Sequence, residues 1–246
     1  LFLLGGSTMA LALLPSYNQV GPVVIWLLGL FRLLQGVALG GAWDGLPSLL
    51  ALNAPEGSRG WYSMIPQLGA PLGLAVAAAL FAYFEALLIR EDFISWGWRY
   101  PFFVALAINV VALFARLRLV ATPEFQRLFE SRELQPSPPF ETLFAEWRTI
   151  LLGAFAPLAS FALFHLVTVF PLSYTQLFTE ANPVRFLLLT AFGSLICVVA
   201  IMASGVIADK VGRRSVLGVS AALIGAYSGF APQLLGAGPF GEAAYM

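Results

Sequence analysis

The chain is 246 residues long, 59% hydrophobic and only 11% charged, with a mean hydropathy of +0.84. Soluble domains carry roughly 25% charged residues, so this chain lacks the polar groups to cover a water-facing surface. Thirteen basic residues balance thirteen acidic ones, which leaves no basic surface for nucleic acid, and the single cysteine, Cys197, offers neither an internal disulfide nor a metal cluster.

Residues 1–14 read as the end of a membrane helix. They lack an initiator methionine and a basic flank, so they do not form a signal peptide, and the chain is expected to be an internal piece of a longer protein. Pro15 to Gln19 and Gly21-Pro22 make a turn-rich loop. A second helix is expected from about Val23 to Leu52, longer than the roughly 20 residues a bilayer needs. Asn53 to Gly60 interrupts the apolar run, and a third helix follows to about Leu88, carrying Gln67, Gly69, Pro71 and Gly73. Arg90-Glu91-Asp92 and Trp96-Gly97-Trp98-Arg99 read as an aqueous loop with interfacial tryptophans. A fourth helix covers about Tyr100 to Leu119.

From Thr122 to Arg148 charges become dense, and Pro136-Ser137-Pro138-Pro139 rules out one continuous helix. One short amphipathic helix is expected around Glu124 to Leu134, and another leads back into the membrane. Three apolar segments close the chain, at about 149–172, 183–208 and 215–235. Alternate loops hold Arg59, then Arg116, Arg118, Arg127, Arg132 and Arg148, then Lys210, Arg213 and Arg214; the opposite set holds Arg90, Arg99 and Arg185. Cytoplasmic loops carry the excess of Lys and Arg, so the long middle loop is expected to be cytoplasmic.

Within the second segment, Arg32, Gln35 and Asp44 stand in an otherwise apolar run. A charge there costs about 2.5–3.5 kcal/mol on insertion scales, so such residues face a cavity or a partner. Gly36 and Gly40, and Gly41 and Gly45, repeat at four-residue spacing, which lets a neighbouring helix approach closely; Gly69 and Gly73 suggest the same for the third segment. Late in the chain comes Gly205-Val206-Ile207-Ala208-Asp209-Lys210-Val211-Gly212-Arg213-Arg214. Its two glycines suit a tight turn, Asp209 suits the amino end of the next helix, and Arg213 and Arg214 suit pairing with Asp209 or with anionic lipid head groups.

Gly205-x-x-x-Asp209-Lys210-x-Gly212-Arg213-Arg214 resembles the cytoplasmic signature loop of the major facilitator superfamily, in its copy between helices 8 and 9. Arg32-Leu33-Leu34-Gln35-Gly36 with Gly40-Gly41 resembles that superfamily's helix 4 motif. More narrowly, Ala54-Pro55 with Arg59-Gly60, Pro66 to Gly73, Ser95 to Phe102 and Thr122 to Phe125 resemble the metabolite:proton symporters, which include shikimate, α-ketoglutarate, citrate and proline/betaine transporters.

The resemblance implies an all-α integral membrane protein: a piece, from within helix 3 to the start of helix 10, of a twelve-helix fold with two six-helix halves. Residues 1–120 would end the first half, 121–148 would connect the halves in the cytoplasm, and 149–246 would begin the second. Substrate would sit at midplane between the halves, with access alternating by rocking. The function expected is proton-coupled symport of a small carboxylate or zwitterionic metabolite, by a monomer of the bacterial inner membrane, without cofactor, metal or enzymatic chemistry. A channel or a non-transporting remnant is the alternative. Arg32 would serve substrate or proton binding, with Gln35 donating to a substrate carboxylate. Asp44, Gln67 and His165, the only histidine, complete the candidate set. The family usually places a glutamate where this chain has Ala42, so Asp44 is a candidate for a relocated acid. Tyr174 and Gln176 are candidates for an external gate.

Overall fold

A computed structural model describes residues 1–43, 45–52, 54–121, 139–155, 158–178, 182–236, 238, 241 and 245. The first stretch forms α1 (Phe2–Ala12), the short α2 (Tyr17–Val20), α3 (Val23–Trp43), α4 (Gly45–Leu52), α5 (Arg59–Met64), α6 (Gly69–Leu87), α7 (Arg90–Ser95) and α8 (Tyr100–Val120). The last stretch forms α9 (Pro139–Ala145), α10 (Trp147–Phe155), α11 (Leu158–Thr168), α12 (Phe170–Phe178), α13 (Pro183–Val211) and α14 (Arg213–Gly236). Five segments are long and apolar enough to cross a membrane, namely Val23–Gly40, Arg59–Leu87, Gly97–Arg118, Pro183–Val211 and Arg213–Leu234; Phe2–Ala12 and Ala162–Tyr174 are shorter apolar pieces. These are the seven segments expected from hydropathy.

Local chemistry explains most boundaries. Asn182 caps α13 by accepting from the N–H of Val184 at 2.9 Å, with Pro183 in the first turn, where its missing N–H costs nothing. Gly212 ends that helix at φ +94°, a conformation open to glycine at no steric cost. The third segment is not one regular helix: Pro66 sits in a 3-10 turn, Ile65–Leu68, between α5 and α6. In the second segment α3 and α4 flank Asp44, which lies outside the described residues. The fifth, expected as one span over 149–172, is interrupted by a turn at Val169 between α11 and α12, with Pro171 buried in the second of these. A proline removes an amide donor and crowds the preceding turn, which favours such division.

Packing is organised by two helix groups. α1 lies between α3 and α8, whereas α6 runs along α13 in the most extensive helix pair of the fold. α6 buries Pro71, Ala78 and Ala82, and α13 buries Phe186, Thr190 and Ser194 at four-residue spacing. Small side chains on one partner and a four-residue stripe on the other permit the close approach that dispersion requires where lipid supplies no hydrophobic drive. Thr190 and Ser194 turn their hydroxyls onto the carbonyls of Phe186 and Thr190, at 3.0 and 2.6 Å, so their burial strands no donor.

The glycine faces behave differently from expectation. Among the described residues, a Cβ at Gly36, Gly40, Gly69 or Gly73 would meet nothing within 4 Å. The side-chain surroundings of Gly41 lie outside the described residues.

Candidate functional site

Asp209 stands in the last turn of α13, where its own helix dipole disfavours a carboxylate. Its oxygens reach across to the start of α5 instead. Oδ1 accepts from the N–H of Gly60 at 2.6 Å and Oδ2 from the N–H of Trp61 at 2.9 Å. Ser58 precedes that helix without a side-chain cap, so the amides left free at its amino end are satisfied by a carboxylate 149 residues away in sequence. This corrects the sequence reading, which put Asp209 at the amino end of the next helix, α14. The physics expected is the physics found, with a different helix. Arg213 and Arg214 are exposed at the start of α14 and form no ion pair with Asp209, whose two oxygens face the α5 amides.

The clasp depends on two glycines. A Cβ on Gly60 would lie 2.7 Å from the carbonyl oxygen of Gly205 and 2.8 Å from Asp209 Oδ1; one on Gly205 would lie 2.7 Å from Cγ of Met64. Gly205 is therefore a close-approach residue inside α13, and of the two glycines expected in the turn only Gly212 is there. Gly60→Ala collides with the Gly205 backbone oxygen at 2.7 Å, whereas Gly205→Ala meets Cγ of Met64 at 2.7 Å and the Gly60 backbone oxygen at a looser 3.2 Å. Thermal unfolding in detergent is expected to show Gly60→Ala the more damaging, by about 1–3 kcal/mol against less than half of that for Gly205→Ala.

A second polar group lies on α3. Arg32 Nη1 donates to Gln35 Oε1 at 3.3 Å, and Gln35 Nε2 donates to Thr8 Oγ1 on α1 at 2.9 Å. No described carboxylate pairs with Arg32, whose side chain is exposed. Gln35 commits one of its two amide N–H groups to Thr8, a residue absent from the sequence-derived set.

The remaining candidates do not join these groups. Gln67 is half-buried in the 3-10 turn before α6. His165 is exposed near the end of α11, edge-to-face with Phe164 at a 6.0 Å centroid separation, and forms no hydrogen bond from its ring to the described residues. Tyr174 stacks on Phe170 at 5.9 Å and, with Tyr227 and Tyr245, lines a cavity of about 330 Å³; the side chain of Gln176 lies outside the described residues. A further, largely apolar cavity of about 280 Å³ opens where α6 meets α11 and α13, lined among others by Pro71, Phe164, Thr190, Ser194 and the exposed Cys197. No cluster of metal-ligating side chains occurs among the described residues.

The aqueous-loop reading of Trp96 to Arg99 is also revised, because Arg99 is only 7% exposed. Its Nη1 donates to the Ser95 carbonyl at 2.8 Å and its Nη2 to the Leu14 carbonyl at 2.9 Å, while the guanidinium lies 4.7 and 4.4 Å from the ring centres of Trp96 and Trp98. Two carbonyls and two indole faces replace the water that a surface arginine would have kept. Its Nε is buried without a partner.

Apolar helices of spanning length, with polar side chains confined to a few inter-helix contacts, define a polytopic helical membrane protein. The chain belongs to the Major Facilitator Superfamily, whose profile matches residues 1–242. It is 34% identical to the inner membrane metabolite transport protein YhjE of Escherichia coli, over 97% of this chain and 55% of that protein. It is 29% identical to the shikimate transporter of Escherichia coli, over 93% of this chain and 52% of that protein. It is 30% identical to the proline/betaine transporter of Salmonella typhimurium, over 85% and 43%. The chain spans about half the length of the relatives it matches. No solved structure matches it. Membership of this superfamily and the apolar helices of spanning length make the chain part of an integral membrane protein.

Proposed function

We propose that the intact protein is a proton-coupled symporter of a small carboxylate or zwitterionic metabolite, working as a monomer by alternating access. Residues 1–120 complete its first half, 121–148 cross between halves on the cytoplasmic side, and 149–246 begin the second. The observation that carries this reading is the Asp209 clasp, which ties the end of α13 to the start of α5 at one end of the α6–α13 pair. A contact made of two hydrogen bonds and one helix-end charge is strong enough to hold one face shut and weak enough to break in every cycle. Arg32, which stays charged at any physiological pH, holds the substrate anion or biases a neighbouring carboxylate toward ionisation. Gln67, His165 and Asp44 remain candidates for further polar contacts. The open glycine faces of α3 and α6 receive neighbouring spans.

Shikimate, proline and glycine betaine form the natural test panel, because relatives are named for shikimate and for proline/betaine. The intact transporter, reconstituted in vesicles with an imposed pH gradient, is expected to accumulate at least one of the three and to lose accumulation with a protonophore. Accumulation indifferent to the protonophore removes proton coupling, and absence of uptake for all three removes this substrate class. Arg32→Gln deletes a charged hydrogen-bonding contact and is expected to cut uptake about 100-fold, through roughly 3 kcal/mol of lost interaction.

A further inference from the structure

The Arg32–Gln35–Thr8 chain has a fixed direction. Thr8 donates its hydroxyl proton to the carbonyl of Leu4, at 2.7 Å. The oxygen can then only accept, so Gln35 must present its N–H to Thr8 and turn its carbonyl the other way. That carbonyl receives Arg32 Nη1. A flipped amide would set N–H against the guanidinium donors and oxygen against the Thr8 lone pairs, losing both bonds. The post itself is rigid. A Cβ on Gly5, one turn before Thr8, would lie 2.5 Å from Asn109 Oδ1 on α8, so α1 is seated closely against α8 while Thr8 reaches α3.

From this we infer that Thr8 is a positioning residue for Arg32, acting through the Gln35 amide, and that Gln35 is the link in this relay and not itself the substrate donor. The inference rests on the proposed role of Arg32 in holding the transported anion. Only one of the five guanidinium N–H groups is spent on Gln35 among the described residues, which leaves the planar fork free for a carboxylate. Orienting that fork before substrate arrives lowers the ordering cost of binding without touching the substrate.

Two measurements separate this relay from the transport reading. In the intact protein, the rate of phenylglyoxal modification at Arg32, followed by peptide mass spectrometry, is expected to rise about threefold to tenfold in Thr8→Val and in Gln35→Leu, as the side chain is released. Thr8→Ser keeps the acceptor and is expected to return the wild-type rate. With whichever panel compound the wild type accumulates, Thr8→Val is expected to raise KM about fivefold to tenfold with kcat within twofold, and Thr8→Ser to restore it. Valine matches threonine in shape, and an unchanged unfolding temperature in detergent checks the fold. If Arg32 reactivity in Thr8→Val equals wild type, the relay is overturned, whatever the transport result. If reactivity rises and Thr8→Ser restores it while the wild type accumulates no panel compound, the relay stands and the symport reading falls. If reactivity rises but KM is unmoved in a transporting protein, positioning of substrate by this relay is overturned.

Discussion

Asp209→Asn is expected to open the α5–α13 contact and expose Met64. The amide keeps the shape of the carboxylate but has one oxygen where two N–H groups wait, and it carries no charge for the exposed amino end of α5. Two bonds of 2.6 and 2.9 Å to a charged acceptor are involved. Their loss, softened by partial exposure to water, is worth roughly 2 kcal/mol net, or about 30-fold in the ratio of closed to open clasp. Met64 is 6% exposed and packs under Gly205, so it reports on that ratio. With Cys197 replaced by serine, a Met64→Cys probe is expected to react at least about tenfold faster with a membrane-impermeant maleimide in the Asp209→Asn background. Asp209→Glu keeps the charge with a longer reach and should fall between. Labelling equal to that of wild-type Asp209, in protein that still folds, would show that closure is carried elsewhere.

Arg99→Met is expected to be the most destabilising single change outside the clasp. Methionine fills a similar length with no donor, leaving the Leu14 carbonyl without the Nη2 hydrogen that reaches it across the fold. The two charge-assisted bonds and two cation–π contacts outweigh the desolvation of the guanidinium and its unpartnered Nε by a net of about 3 kcal/mol. The apparent unfolding temperature in detergent should drop by about 6–12 °C. Arg99→Lys should recover less than half of the loss, because a single ammonium cannot span two carbonyls while stacking between two indoles. A change within 2 °C, about the shift of 1 kcal/mol or less, would mean the guanidinium is as well solvated in the unfolded protein as between Trp96 and Trp98.

These two residues also mark how far the sequence could be read. Apolar segments and Gly212 as a turn glycine follow from rules that operate within a few residues, and they were legible. The family was legible too, from motifs spread over most of the chain. Asp209 was recognised as a helix-capping acid, but which of several helix ends it would cap depends on chain crossing, and the capped residue is 149 positions away. Arg99 looked solvated because charge between tryptophans is the usual pattern of a membrane interface. Only the return of α1 at Leu14 creates the buried carbonyl that receives it. Thr8 was passed over because a lone threonine in an apolar helix has no local signal; its meaning comes from the facing Gln35. The prolines near residues 66 and 171 were visible, yet hydropathy averages over them and so joined what the backbone divides.

The 3-10 turn at Ile65–Leu68 has a mechanical consequence. It separates the clasped end of α5 from α6, so Gly60 rides on a lever of five residues, about 7.5 Å long at the helical rise. Stretching the Gly60 bond by 1 Å, enough to break it, needs a tilt of only about 8° at that fulcrum. The large α6–α13 surface need not slide for this to happen. A small angular motion of α5 is thus decoupled from the long α6–α13 contact, and the clasp can be released without first sliding α6 along α13.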